Sequence, residues 1–133
     1  MRAQVHPDAL GLRVELDRLS RSRIVGYQRI ARFNPLSAQD TRLFAAALSG
    51  RHLLNGFRNR DLTGLLGVPP AGTDIRRRRE RTSRLISKLR GHGLIATVPR
   101  SRLYRVTPRG HRIMSAVIRF RHVDFPQAFA AAA

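Results

Sequence analysis

The chain has 133 residues, 42% hydrophobic and 26% charged, a length and balance that suit one folded domain with extensions and argue against disorder. Its 26 Lys and Arg outnumber 8 Asp and Glu, leaving a formal net charge of +18 and an isoelectric point near 12, which favours a polyanionic partner. With no cysteine, disulfides, thiol catalysis and thiolate metal sites are excluded.

Pro7 and Asp8 open a stretch in which Leu12, Leu16 and Leu19 recur at helical spacing, followed by Ile24, Val25, Tyr27 and Ile30 among arginines. The spacing predicts helix from 8 to about 32, with a break at Ser20 or Gly26. Phe33, Asn34 and Pro35 end it, since proline disfavours the helical conformation in the residue before it. This gives an N-terminal helical extension, residues 1–34.

Ser37 and Asp40 have the spacing of a capping box ahead of an apolar face of Leu43, Phe44, Ala47 and Leu48, predicting a helix over about 38–49 that stops at Gly50. Leu53, Leu54 and Phe57 around Asn55 and Gly56 read as a short strand or extended entry. A shorter helix then carries Leu62, Leu65 and Leu66 and stops at Gly67, ahead of Pro69 and Pro70.

From about Asp74 to His92 the pattern is again helical, with Leu85, Ile86 and Leu89 inward and most of the arginines outward; Gly91 and Gly93 close it. Leu94 to Val98 and Leu103 to Thr107 flank Pro99, Arg100 and Ser101 and read as a β-hairpin with a basic tip. A last helix starts near Pro108 and carries Ile113, Met114, Val117 and Ile118, and residues 125–133 form a frayed tail. The fold class expected is mainly α with a small β wing, a winged helix-turn-helix domain over 35–124.

The run RLISKLRGHGLIATVPRSRLYRVTPRG, residues 84–110, resembles the recognition helix, wing and exit of MarR-like bacterial winged helix regulators. Gly93, Leu94, Ile95, Tyr104, Val106, Thr107 and Gly110 carry the likeness, which extends over roughly residues 37–123. NGFRNRDL, residues 55–62, together with this run also resembles the C-terminal module of larger bacterial proteins. The first resemblance implies DNA binding and transcriptional regulation, with a recognition helix at about 74–92 and a wing at about 94–107. It also implies a homodimer through the terminal helices, roughly 8–32 and 109–123.

In such domains the N-terminal half of the recognition helix faces base edges in the major groove. Carried over by position, Arg81, Ser83, Arg84 and Lys88 are the groove candidates. Arg76, Arg77, Arg78 and Arg79 precede them as phosphate contacts, and Arg100 and Arg102 sit at the wing tip. The arginine fork matches guanine O6 and N7, a pairing that contributes about 1 to 3 kcal/mol of discrimination. Consecutive arginines at a helix entry repel one another unless an anion offsets the cost.

Other classes fit poorly. His6, His52, His92, His111 and His122 show no paired ligand spacing, so no metal or cofactor is expected. Asp40, Asp61 and Asp74 read as helix-start residues rather than as catalytic acids, and no phosphate-binding glycine loop or nucleophile elbow occurs, so the chain is not expected to be an enzyme. A membrane surface would call for an amphipathic basic helix with bulky anchors or a lipidation signal; neither is evident, nor is a signal peptide in Met1 to Leu10 or an apolar run of about 18 residues. A cytoplasmic, nucleoid-associated protein binding duplex DNA is therefore expected. The alternatives are a non-catalytic DNA-binding module of a mobile-element, replication or larger multidomain protein, and an RNA- or ribosome-associated winged helix protein.

Overall fold

The computed structural model describes residues 13–14, 16–25, 28–34, 37–49, 55–67 and 74–121. Residues 13–14 and 16–19 are helical, and the chain leaves the helix at Ser20, one of the two breaks predicted. Beyond Ser20 the helical reading of 8–32 is corrected: β1, Arg23–Val25, pairs antiparallel with β2, Gln28–Ile30. Val25 stands opposite Gln28, with Gly26 and Tyr27 between them in the sequence. A two-residue link that starts with glycine is a hairpin signal, and β-branched Ile24, Val25 and Ile30 favour extended backbone. Both outweigh a helical period that the arginines merely tolerate.

The hairpin grows from a buried neck. Leu19 and Phe33, 0% and 1% exposed, enter the core on either side of it, and the Phe33 N–H donates to the Leu19 carbonyl at 2.7 Å. Leu19 and Phe33 of the segment read as an N-terminal extension thus share one core with the later helices.

Helix α1, Ala38–Ala47, starts at Ser37, whose hydroxyl accepts the Asp40 N–H at 3.3 Å. Asp40 does not complete the box; its carboxylate accepts the Asn34 N–H at 2.8 Å, tying the incoming chain to the helix start. Phe57 then makes a single antiparallel bridge to Tyr104, the extended entry the sequence suggests. Helix α2, Asn59–Leu66, opens with the Asp61 carboxylate accepting the Arg58 N–H at 2.8 Å. Its inward face is Leu62 and Thr63, with Leu66 half-buried and Leu65 39% exposed. The expected Leu65 gives way because polar bonds from Asn59 and Thr63 to the next helix set the rotation.

That helix, α3, runs Ile75–Gly91 and is capped by Asp74, whose carboxylate accepts the Arg77 N–H at 2.9 Å. It leads into β3, Ile95–Thr97, which pairs antiparallel with β4, Tyr104–Val106. Phe57 extends this pair by one residue, trading backbone bonds with Tyr104 at 2.9 and 2.7 Å. Thr107 then joins three elements. Its hydroxyl donates to the Gly93 carbonyl at 2.8 Å and accepts the Gly110 N–H at 2.9 Å at the start of α4, Pro108–Arg119. Gly110 packs so closely on the Leu94 carbonyl that any side chain there would strike it.

The core collects Leu43, Phe44 and Ala47 of α1, Leu62 of α2, Ile86 and Leu89 of α3, Leu94 and Ile95 of the second hairpin, and Ile113, Met114 and Val117 of α4. Among the described residues the architecture is mainly helical, with two small two-stranded antiparallel sheets. The pair of terminal helices that the resemblance assigns to a homodimer is altered accordingly: residues 23–25 and 28–30 are strands, and α4 buries Ile113, Met114 and Val117 in its own core. Expectations resting on residues 1–12, Gly50, Leu53, Leu54, the 68–73 loop and the 125–133 tail lie outside the described residues.

Candidate nucleic-acid interface

Helix α3 presents two chemically opposite sides. At about 100° per residue, Thr82, Ile86 and Leu89 fall together and are buried, 2%, 3% and 0% exposed. Arg77, Arg81, Arg84 and Lys88, spaced i, i+4, i+7 and i+11, fall on the opposite side within an arc of about 60°. Each neighbouring pair on that stripe is a like-charge contact costing about 0.2 to 0.5 kcal/mol.

The inward side is fixed by polar bonds to α2 as well as by apolar packing. The Thr63 hydroxyl donates to Thr82 Oγ1 at 2.8 Å, and Thr82 in turn donates to the Arg78 carbonyl at 3.0 Å. The Asn59 amide donates to Ser83 Oγ at 2.8 Å and to the Arg79 carbonyl at 3.1 Å. These contacts leave α3 one permitted rotation against α2, which decides which arginines face out.

The candidate residues consequently separate into groups. Arg77, Arg81 and Arg84 are exposed on the stripe, and none makes a side-chain bond or ion pair with another described residue. Arg76 and Arg79 are exposed but off the stripe, Arg79 in phase with Ile86 and Ser83, and Arg76 in a loose 3.5 Å ion pair with Glu80 in which both side chains stay in solvent. Arg78 is half-buried on the inward side, and its guanidinium donates to the Thr63 carbonyl at 3.3 Å. Ser83 lies on the edge towards α2 and accepts from Asn59. Lys88, although on the stripe, is half-buried with its Nζ 4.2 Å from the centre of the Phe33 ring.

Phe33 explains that last placement. Its ring meets Phe44 at 5.1 Å and 63° on one side and His92 at 4.9 Å on another. The His92 ring is 1% exposed and its Nε2 lies 2.7 Å from the Ala31 carbonyl. A carbonyl only accepts, so this ring nitrogen carries the proton. His92 and Lys88 therefore both hold the chain that leaves the first hairpin. Ile30 completes the clasp, packing so closely on Gly91 that an added methyl group would come within 2.6 Å of it.

Arg100 and Arg102 are exposed at the tip of the second hairpin, where the Val98 N–H donates to the Leu103 carbonyl at 2.9 Å and closes the turn. Arg100 is left-handed, φ 59°, a conformation that costs a non-glycine residue about 1 to 2 kcal/mol. Ser101 supports the turn, donating to the Val98 carbonyl at 2.9 Å and accepting the Leu103 N–H at 3.1 Å.

The acids near this surface are already committed. Asp40, Asp61 and Asp74 each accept a backbone N–H at a helix start, and Glu80 faces Arg76. None of Arg77, Arg81 and Arg84 is ion-paired with a described acid. Among those residues there is no group of three or more side chains suited to a metal ion, and no helix long and apolar enough to cross a membrane. Sequence reading missed Arg29 of the first hairpin as a neighbour of α3, the anchoring of Lys88, and the Asn59 bonds to α3. Asn59, two residues ahead of Asp61, was the visible signal for the last. No family model, curated protein or solved structure matches the chain.

Proposed function

We propose that the chain is a winged helix protein that binds duplex DNA as a bacterial transcriptional regulator, with α3 as recognition helix and β3–β4 as wing. The order α1, extended Phe57, α2, α3, β3, β4, α4 supports the assignment, as does the way Phe57 borders the second hairpin. The observation that carries it is the exposed stripe of Arg77, Arg81 and Arg84. Three mutually repelling cations that make no ion pair are stabilised by a polyanion, and a helix with one face bare fits a major groove.

In this reading Arg81 and Arg84 meet base edges and Arg77 stands where the helix enters the groove. Arg76 and Arg79, off the stripe on the Ser83 side, hold phosphates, and Arg100 and Arg102 follow the backbone or enter a narrow minor groove. Lys88 and Arg78 serve the fold. The face that reads bases is therefore shifted towards the helix N-terminus relative to the 81–88 span expected from sequence.

Selection from a random duplex pool at about 150 mM salt, near physiological ionic strength, tests the reading. Retention of duplexes enriched in a guanine-containing motif is expected, because the arginine fork discriminates guanine best. Failure to retain duplex DNA under conditions where structured RNA is retained would overturn it.

A further inference from the structure

The first hairpin lies in the angle between α3 and the second hairpin. Ile30 of β2 lines one groove with Ser87, Arg90 and Gly91 of α3 and with β3 residues 95–97. Arg29, its neighbour, alternates to the other face of the strand and is exposed. Arg29 lines a groove of about 400 Å³ together with Arg84, Ser87 and Lys88 of α3. It also lines a second groove, of about 600 Å³, with Ser20, Arg21, Ser22 and Arg32. Arg21, Arg29 and Arg32 are all exposed. Arg29 thus borders both the groove of Arg84 and Lys88 and the groove of Arg21 and Arg32.

From this we infer that the β1–β2 hairpin is a second backbone clamp: Arg21, Arg29 and Arg32 bind duplex phosphates beside the groove that α3 enters. The chemistry is that of a phosphate track. Guanidinium groups line two shallow grooves that the Ser22 and Ser87 hydroxyls border, and among the described residues no carboxylate lines either. The neck makes the clamp rigid, since Leu19, Phe33 and the His92 bond to Ala31 fix where the hairpin leaves the core. The inference rests on the duplex-binding reading of α3 and adds to it a contact that carries no sequence information.

The test is the salt dependence of binding to a non-specific duplex, read by fluorescence anisotropy between about 50 and 300 mM salt. Each phosphate neutralised contributes about −0.9 to the slope of log K against log salt. R21Q/R29Q/R32Q, whose exposed side chains leave the core untouched, should flatten the slope by about 2 to 3 and weaken all sequences equally. R119Q, which removes one exposed charge from α4, should leave the slope unchanged.

If the triple hairpin variant keeps the wild-type slope while R77Q/R81Q/R84Q weakens binding, the clamp is overturned and the reading of α3 stands. If R119Q flattens the slope as much per charge as the hairpin variant, diffuse charge explains the effect and the clamp is likewise overturned. If neither the hairpin nor the α3 variant changes binding, the reading of α3 falls and the clamp falls with it.

Discussion

The two halves of α3 carry the same kind of side chain in opposite circumstances. Arg77, Arg81 and Arg84 project from the first half and meet no described partner. Four residues beyond Arg84, on the same stripe, Lys88 lies half-buried across the Phe33 ring, next to His92 and the chain leaving the first hairpin. Charge and helical phase alone would assign all four to one function. The difference lies in what packs alongside: an aromatic ring from residue 33 turns a cation into a clasp, and where no such ring arrives the cation stays available.

The largest effect should come from removing the ring. Phe33→Ala deletes a fully buried aromatic that meets Phe44, His92 and Lys88, and should cost about 3 to 5 kcal/mol by chemical denaturation. In hydrogen exchange the amides of 28–31 should lose protection before those of α1 and α4. Uniform loss across all elements would show that the hairpin is no separate unit.

A smaller, sharper contrast comes from neutralising one cation in each half. Arg81→Gln should weaken binding to a selected duplex by about 1 to 3 kcal/mol and leave stability within about 0.5 kcal/mol of wild type. Lys88→Gln should do the reverse, lowering stability by about 0.5 to 1 kcal/mol through the lost contact with Phe33 and leaving affinity for that duplex unchanged. Equal losses of affinity for the two variants would erase the division of the helix.

The smallest effect belongs to the second hairpin. Arg100→Gly removes a side chain from a left-handed position and should raise stability by up to about 1 kcal/mol, read as an increase in thermal midpoint. Duplex binding should weaken at the same time. Stabilisation without weaker binding would remove Arg100 from the interface.

These contrasts also mark what the sequence could convey. The helices at 38–47, 59–66, 75–91 and 108–119 and the second hairpin were legible because caps, apolar period and turn residues agree there: Ser37, Asp74 and Thr107 each cap through a side chain, and Gly93 takes positive φ after α3. The first hairpin was not, because Leu12, Leu16 and Leu19 set a helical phase that Ile24, Tyr27 and Ile30 can be made to follow. The strand signal there is only a few residues long, and it is decided by Ile30 meeting Gly91, a contact remote in sequence. The candidate cations were legible as a group, since four successive arginines announce themselves. Their division was not. Arg78 turns inward and Lys88 is held because of α2 and Phe33, and neither partner is visible from α3 alone.

In the proposed function the stripe of Arg77, Arg81 and Arg84 is what holds duplex DNA. Affinity of R77Q/R81Q/R84Q for a selected duplex at about 150 mM salt tests it most directly. Glutamine keeps the helix propensity and the fold while removing the charge and the arginine fork. The account predicts a loss of at least about 100-fold, equivalent to about 2.7 kcal/mol. Binding within about twofold of wild type would contradict it.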